Sequence, residues 1–251
     1  KLITSTPSNN ERGDLPAVQA IVVLFDAADG RPLAVLDGTV LTQWRTAADS
    51  GLGARLLARP DSRRLLVIGA GAMARPLARA HAAARPSIDH VGVWNRTAER
   101  AAEMVADLTA EGVPAVVEPD LDAAIASADV ITACTRAVEP VIAGRLLRPG
   151  THVDLVGGFT PAMREADDET MARGRIFVDR RETSIDVVGD LITPISNGTI
   201  TVADVLGDLH DLVAGRAGRT TDDEITIFKN AGGGHLDLMT AEAVLRAAAP
   251  T

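Results

Sequence analysis

A single cysteine, Cys134, stands among the 251 residues, tyrosine is absent, and aromatic residues make up only 2%. One cysteine excludes an internal disulfide and suits a reducing compartment, which gives a cytoplasmic expectation. It follows the apolar run Val130-Ile131-Thr132-Ala133, so a buried, unreactive thiol is expected. No apolar run approaches the roughly 20 residues of a membrane-spanning helix, and no secretory leader pattern is visible. Positive charge is in deficit: 25 Lys and Arg against 34 Asp and Glu leave a net charge of −9. The basic residues are scattered, not striped, so nucleic acid and anionic membrane are poor partners. No His, Cys and carboxylate spacing suggests a metal site, and no Ser, His and Asp set is legible. Internal repeats, low-complexity tracts and long charge runs are also missing. The length allows one large or two moderate domains.

What is present is concentrated at 65–74. The run Leu65-Leu66-Val67-Ile68 ends in Gly69-Ala70-Gly71-Ala72-Met73-Ala74, a Gly-x-Gly-x-x-Ala pattern, and a helix-like segment follows at once. A strand, a glycine turn and a helix in this order hold the pyrophosphate of a dinucleotide. Gly69 permits the tight turn. Gly71 lets the backbone approach the phosphates, and Ala74 allows close helix–strand packing. The helix N-terminus supplies unpaired N–H groups and a partial positive charge.

The next apolar run, 90–94, ends in Asn95-Arg96-Thr97, with Arg100 a turn later. An Asp or Glu at this strand end accepts hydrogen bonds from a free ribose 2′-hydroxyl, and none is present. Two cations and two small polar groups suit a 2′-phosphate instead, because the arginine fork matches phosphate oxygens. NADP(H) is therefore favoured over NAD(H).

Strand-like runs at 65–69, 90–94, 114–117, 129–134, 152–156 and 175–179 alternate with helix-like stretches at 75–84, 97–111, 121–127, 139–146 and 165–173. This alternation predicts an α/β fold with a Rossmann-type, doubly wound parallel sheet. Ligands of such sheets lie beyond the carboxyl ends of the strands, which places Thr135 and Val156-Gly157-Gly158 on the nicotinamide side. Earlier in the chain, 17–26 and 31–36 read as a hairpin, and 42–58 as a helix closed by Pro60. The tail reads as helix at 204–214, strand at 225–229 and helix at 236–248.

Other stretches carry a resemblance: Lys1 with Pro7-Ser8-Asn9, 33–38, Leu41-Thr42-Gln43-Trp44-Arg45-Thr46-Ala47-Ala48, Val156-Gly157-Gly158-Phe159-Thr160-Pro161 with Arg164-Glu165, and 225–229. With the glycine turn, they resemble the ornithine cyclodeaminase/μ-crystallin family, in the family's order. The resemblance implies a homodimer of two-domain subunits. A dinucleotide domain (60–230) would join a smaller α+β substrate and dimerisation domain built from both chain ends (1–59 and 231–251). It also implies a further segment ahead of Lys1 that often supplies a substrate-binding arginine.

By resemblance, Lys1 and Arg45 grip the carboxylate of a small imino or amino acid, and fixed cations would orient it. Thr46 would lie near the cofactor phosphates, and Lys229 would face the cofactor. Asp190 could share that interface or serve as a helix cap. His235 could face the cleft, and 167–169 reads as a solvated helix face. Deaminating members carry an Asp right after the glycine pair, where this chain has Phe159. An apolar ring cannot accept a proton, so cyclodeamination of ornithine loses its acid–base group. Reduction of a cyclic imine asks for less, and Thr160 could supply the proton. The resemblance therefore implies NAD(P)H-dependent reduction of Δ1-pyrroline-2-carboxylate or Δ1-piperideine-2-carboxylate. The alternatives are an amino-acid or opine-type dehydrogenase, an ornithine cyclodeaminase, and a non-catalytic NADPH binder of the μ-crystallin kind.

Overall fold

The computed structural model describes residues 1–6, 8–9 and 15–248. Pro7, part of the N-terminal resemblance, and the tail after 248 lie outside the described residues. The chain divides into two compact units: Lys1–Thr46 with Gly233–Thr251, and Ala47–Gly232. The first division point falls inside a helix, where the sequence suggests a boundary near Pro60.

In the first unit, β1 (Leu2–Ser5), β2 (Val18–Phe25) and β3 (Pro32–Asp37) form an antiparallel sheet in the order β1-β2-β3. The β2–β3 turn closes where Asp26 N–H donates to the Arg31 carbonyl, and Gly30 takes the positive φ of 76° that the turn needs. Side chains alternate across the strands. Val22 and Leu24 pack with Leu41 of α1 (Gly38–Leu57) and Ala241 of α9 (Gly234–Ala248). The other face bears Ile21, Phe25 and Val35, all exposed.

The second unit is built on an eight-stranded sheet in the order β10-β9-β11-β8-β7-β4-β5-β6. Its strands are β4 (Arg64–Ile68), β5 (His90–Trp94), β6 (Ala115–Val117), β7 (Val130–Ala133), β8 (His152–Leu155), β9 (Gly174–Val178), β10 (Val205–Asp208) and β11 (Ile225–Lys229). Every adjacent pair is parallel. Helices α2 (Ala74–Ala84), α3 (Ala98–Ala110), α4 (Leu121–Ser127), α5 (Asp168–Arg173), α6 (Arg181–Ser184), α7 (Gly189–Ser196) and α8 (Leu209–Val213) complete it. Parallel strands buried on both faces read as unbroken apolar runs. Here Leu65 and Val67 pack with Val91, Ala78 and Leu108, while Leu66 and Ile68 pack with Ile131, Ile125 and Leu155. Asp154 of β8, fully buried, accepts hydrogen bonds from Ser50 of α1 and Thr132 of β7, and its Oδ2 lies 3.0 Å from His81 Nε2 of α2. One carboxylate thus pins two helices to the middle of the sheet.

The core strands and α2 to α4 lie within a residue or two of their expected bounds. Four expectations give way. Residues 139–146 form only a short 3-10 turn at Gly144–Leu146, because Pro140 lacks a donor and the Val141 and Ile142 N–H groups both donate to the Glu165 carbonyl. The stretch 204–214 splits into β10 and α8. The Asp208 side chain caps the N–H groups of His210 and Asp211, so the helix starts there and the apolar residues before it pair with β9. α5 starts late because Asp167 caps the Thr170 N–H, so 167–169 is a helix start and not a plain solvated face. α1 starts early because Asp37 accepts from the Thr39 and Val40 N–H groups. The strand β1 gives no sequence pattern. β11, in the tail, enters the sheet between β8 and β9 with all five residues buried.

Candidate active site

The sheet winds outward from β4 through β5 and β6, then the chain returns to β7 on the other side of β4. The crevice beyond the carboxyl ends of β4 and β7 is the switch point at which such sheets bind ligands. Gly69 sits at the end of β4 with φ of 113°, and a Cβ there would lie 3.2 Å from the Cys134 carbonyl oxygen. Its N–H donates to the Trp94 carbonyl of β5. Gly71 differs: its φ is not positive, and no atom lies within 4 Å of where a Cβ would stand. The fold gives no reason for glycine there, whereas a pyrophosphate passing over the turn does. Ala70 and Ala72 complete the turn. Ala74 is buried, and α2 begins at Met73 with no side-chain cap and no acidic residue in its first turn. The Ala74 N–H donates to the Gly71 carbonyl at 3.0 Å and Pro76 has no N–H, so in this first turn it is the Arg75 N–H that stands ready for an anion. These features fit a dinucleotide.

At the end of β5, Asn95 joins two loops: Oδ1 accepts from the Ala70 N–H at 3.2 Å, and Nδ2 donates to the Thr97 carbonyl at 2.8 Å. Arg96, Thr97 and Arg100 are exposed. Asn95 thus holds the glycine turn against the loop that carries Arg96 and leads into α3 with Arg100.

Beneath the ends of β7 and β8 lies a cluster of buried charges. The Glu165 carboxylate accepts at Oε1 from the Thr135 N–H (2.7 Å) and hydroxyl (2.8 Å), and at Oε2 from the Gly157 N–H (2.7 Å). Asp190 accepts from the Glu165 and Ala166 N–H groups, and Lys229 Nζ lies 3.0 Å from Asp190 Oδ2. All three side chains are fully buried. Burial pushes the Glu165 carboxyl up to about 7; the Lys229 ammonium pulls against this and Asp190 adds to it. The glycine pair is required here: a Cβ on Gly157 would fall 2.0 Å from the Thr135 carbonyl oxygen, and one on Gly158 2.4 Å from Asp190 Oδ2. Val156 is buried beside them, Phe159 is 49% exposed, and the Thr160 carbonyl accepts from the Met163 and Gly189 N–H groups. Two expectations change. Lys229 is fully buried with its ammonium turned to Asp190, where the sequence suggests a residue facing the cofactor, and Asp190 is a loop clasp and not a helix cap. Cys134 donates to the Ile68 carbonyl at 3.6 Å, and burial with the nearby Glu165 and Asp154 raises its pKa, which keeps it a thiol.

The first unit gathers its own charges. Lys1 Nζ lies 3.0 Å from Asp237 Oδ1 and donates to Thr42 Oγ1. Arg45 Nε lies 3.5 Å from the same carboxylate oxygen, yet it is buried without a hydrogen-bond partner among the described residues. Two cations share one carboxylate, which leaves a surplus positive charge and an unused buried donor, suited to an incoming carboxylate. Thr46 is buried on α1. Asp237 has no sequence pattern of its own: it lies 236 positions from the lysine it holds. Glu165 stands in a matched motif, but no pattern in the chain reveals its burial or its clasp on two strands.

Residues 1–249 match the profile of the Ornithine cyclodeaminase/mu-crystallin family. A Delta(1)-pyrroline-2-carboxylate reductase of Paracoccus denitrificans is 49% identical over 98% of this chain and 78% of its own length. Among solved structures, a Delta(1)-pyrroline-2-carboxylate reductase of Thermococcus litoralis in complex with NADH and L-proline superposes with a TM-score of 0.94 at 33% identity. That match covers 98% of this chain and 76% of the other. An archaeal alanine dehydrogenase dimer with bound NAD superposes with a TM-score of 0.88 at 32% identity, over 98% and 76%.

Proposed function

The chain belongs to the ornithine cyclodeaminase/mu-crystallin family, and from that premise we propose that it reduces a small cyclic imino acid with a nicotinamide cofactor. Δ1-pyrroline-2-carboxylate and Δ1-piperideine-2-carboxylate are the substrates, and L-proline and L-pipecolate the products. The observation that carries this reading is Phe159, an exposed apolar ring directly after the glycine pair, where deamination needs a carboxylate. Gly69 to Ala74 and the start of α2 hold the pyrophosphate of the cofactor, which supplies a hydride when bound. Thr135 and the Val156–Gly157 backbone border the crevice. Lys1 and Arg45, held by Asp237, are the carboxylate clamp of the substrate. Thr46 belongs to the phosphate side and Thr160 to the substrate side.

The cofactor we propose is NADP(H). Arg96 and Arg100 are exposed and form no ion pair among the described residues, so both remain for a 2′-phosphate. A homodimer is the assembly we propose, supported by the exposed apolar face of the three-stranded sheet. A cytoplasmic setting suits the lone Cys134. Among the described residues no helix is long and apolar enough to cross a membrane.

The alanine dehydrogenase likeness favours a second reading, oxidation of an open-chain amino acid. Purified protein mixed with NADPH or NADH and enzymatically generated Δ1-pyrroline-2-carboxylate separates the readings. We expect loss of nicotinamide absorbance, with kcat/KM for NADPH about tenfold or more above that for NADH, or about 1.4 kcal/mol. Oxidation of alanine or ornithine with no imine reduction would overturn the substrate assignment. Tight NADPH binding without any turnover would make the protein a binder.

A further inference from the structure

We infer that Glu165 and Thr135 form a proton relay that protonates the imine nitrogen during reduction, with Glu165 as the buried donor and the Thr135 hydroxyl as the group that meets the substrate. The inference rests on the imine-reductase reading. Thr135 lies two residues past the end of β7, at the switch crevice, and it is only partly buried. Its Oγ1 has two protein partners: it accepts from the Ala137 N–H at 3.2 Å and faces Glu165 Oε1 at 2.8 Å. A hydroxyl has one proton and two lone pairs. While Glu165 is ionised, the Thr135 proton points at the carboxylate. Once Glu165 is protonated, its own proton donates to Oγ1, and the Thr135 proton is released toward the crevice.

The proton has one place to sit. At Oε2 it would meet only the Gly157 N–H, a donor that cannot turn, whereas at Oε1 it finds the Thr135 oxygen as acceptor. The groups facing this carboxyl are Lys229 from β11, Asp190 from α7 and Cys134 from the end of β7. Burial, opposed by the Lys229 ammonium and aided by Asp190, brings the Glu165 carboxyl to about 7, where an acid of its type can both give and regain a proton. In the reaction, hydride reaches the imine carbon, the C=N π pair moves onto nitrogen, and nitrogen takes the Thr135 proton. Thr135 in turn takes the Glu165 proton. The carboxylate left behind regains a proton from water through the same hydroxyl when the crevice is empty. Thr160, one strand end away, is then not required as the acid.

The test uses Glu165→Gln, Thr135→Val and Thr135→Ser, each assayed from pH 5.5 to 9 with NADPH and Δ1-pyrroline-2-carboxylate. Wild-type kcat should fall as pH rises through about 7, because the acid form of Glu165 is the donor. E165Q and T135V should lose about 100-fold in kcat, keep KM for the imine within about threefold, and lose the fall near pH 7. T135S should restore both rate and pH profile. Independently of turnover, infrared spectra of the cofactor-free protein should show a carboxylic-acid carbonyl band that titrates near pH 7 in wild type, at higher pH in T135V, where the hydroxyl that lowers the Glu165 pKa is gone, and is missing in E165Q. An active T135V with the wild-type profile overturns the relay, even where E165Q fails to fold. A wild type that never consumes the imine overturns the function reading and the relay with it, whereas an active wild type with unaffected variants overturns the relay alone.

Discussion

Two glycines two positions apart answer to different masters. Gly69 has a positive φ and stands against the end of β7, so the chain itself demands it. Gly71 has free space around it and an ordinary backbone conformation, which suits the pyrophosphate contact proposed for it. Gly71→Ala should therefore leave the melting temperature within about 2 °C and raise the Kd for NADPH at least about tenfold in a fluorescence titration. Gly157→Ala, with its Cβ 2.0 Å from a carbonyl oxygen, should instead lower the melting temperature sharply. Equal NADPH affinity in G71A and wild type would remove the pyrophosphate from this turn. Residue identity picked out Gly69, Gly71, Arg96 and Arg45 as candidates in the sequence, because each belongs to a short pattern with a stated mechanism. Asp237, and the roles of Asp190 and Glu165, were hidden for a physical reason: their partners come from chain positions that only the fold brings together, and burial of a carboxylate leaves no local mark.

At the scale of elements, periodicity located strands that are buried on both faces and helices that pack on them. It failed where side chains close a segment early. Asp208, Asp167 and Asp37 each set a helix start by capping, and Pro140 with Gly144 prevented a helix that apolar spacing alone suggested. β1 was missed because its residues are all exposed and short of a partner pattern. The three-stranded sheet shows what one element leaves undone. One face packs on α1 and α9, while the other presents Ile21, Phe25 and Val35, which are 46%, 61% and 69% exposed. Directly opposite residues across antiparallel strands share a face, and Val23 pairs with Val35 here. If this face joins two copies, light scattering should give a mass near twice 26.2 kDa, and Val35→Glu should shift the protein toward half that mass. A wild-type monomer at micromolar concentration would contradict the proposed homodimer.

For the molecule as a whole, the division of labour follows the division into units. The larger unit carries a nucleotide cradle at its switch point, with a buried acid beneath the strand ends. The smaller carries two cations around one carboxylate. The net charge of −9 makes this local surplus of positive charge conspicuous, since the surroundings would repel the small anion that the proposed clamp would attract. In the proposed reaction hydride is delivered to an imine carbon and not taken from an amine. Its most direct measurement supplies NADPH carrying deuterium at the transferable C4 position together with Δ1-pyrroline-2-carboxylate, and analyses the product by mass spectrometry and NMR. The account predicts L-proline with one deuterium on the carbon that bears the carboxylate. Proline without label, or no proline at all while the cofactor stays reduced, would contradict it.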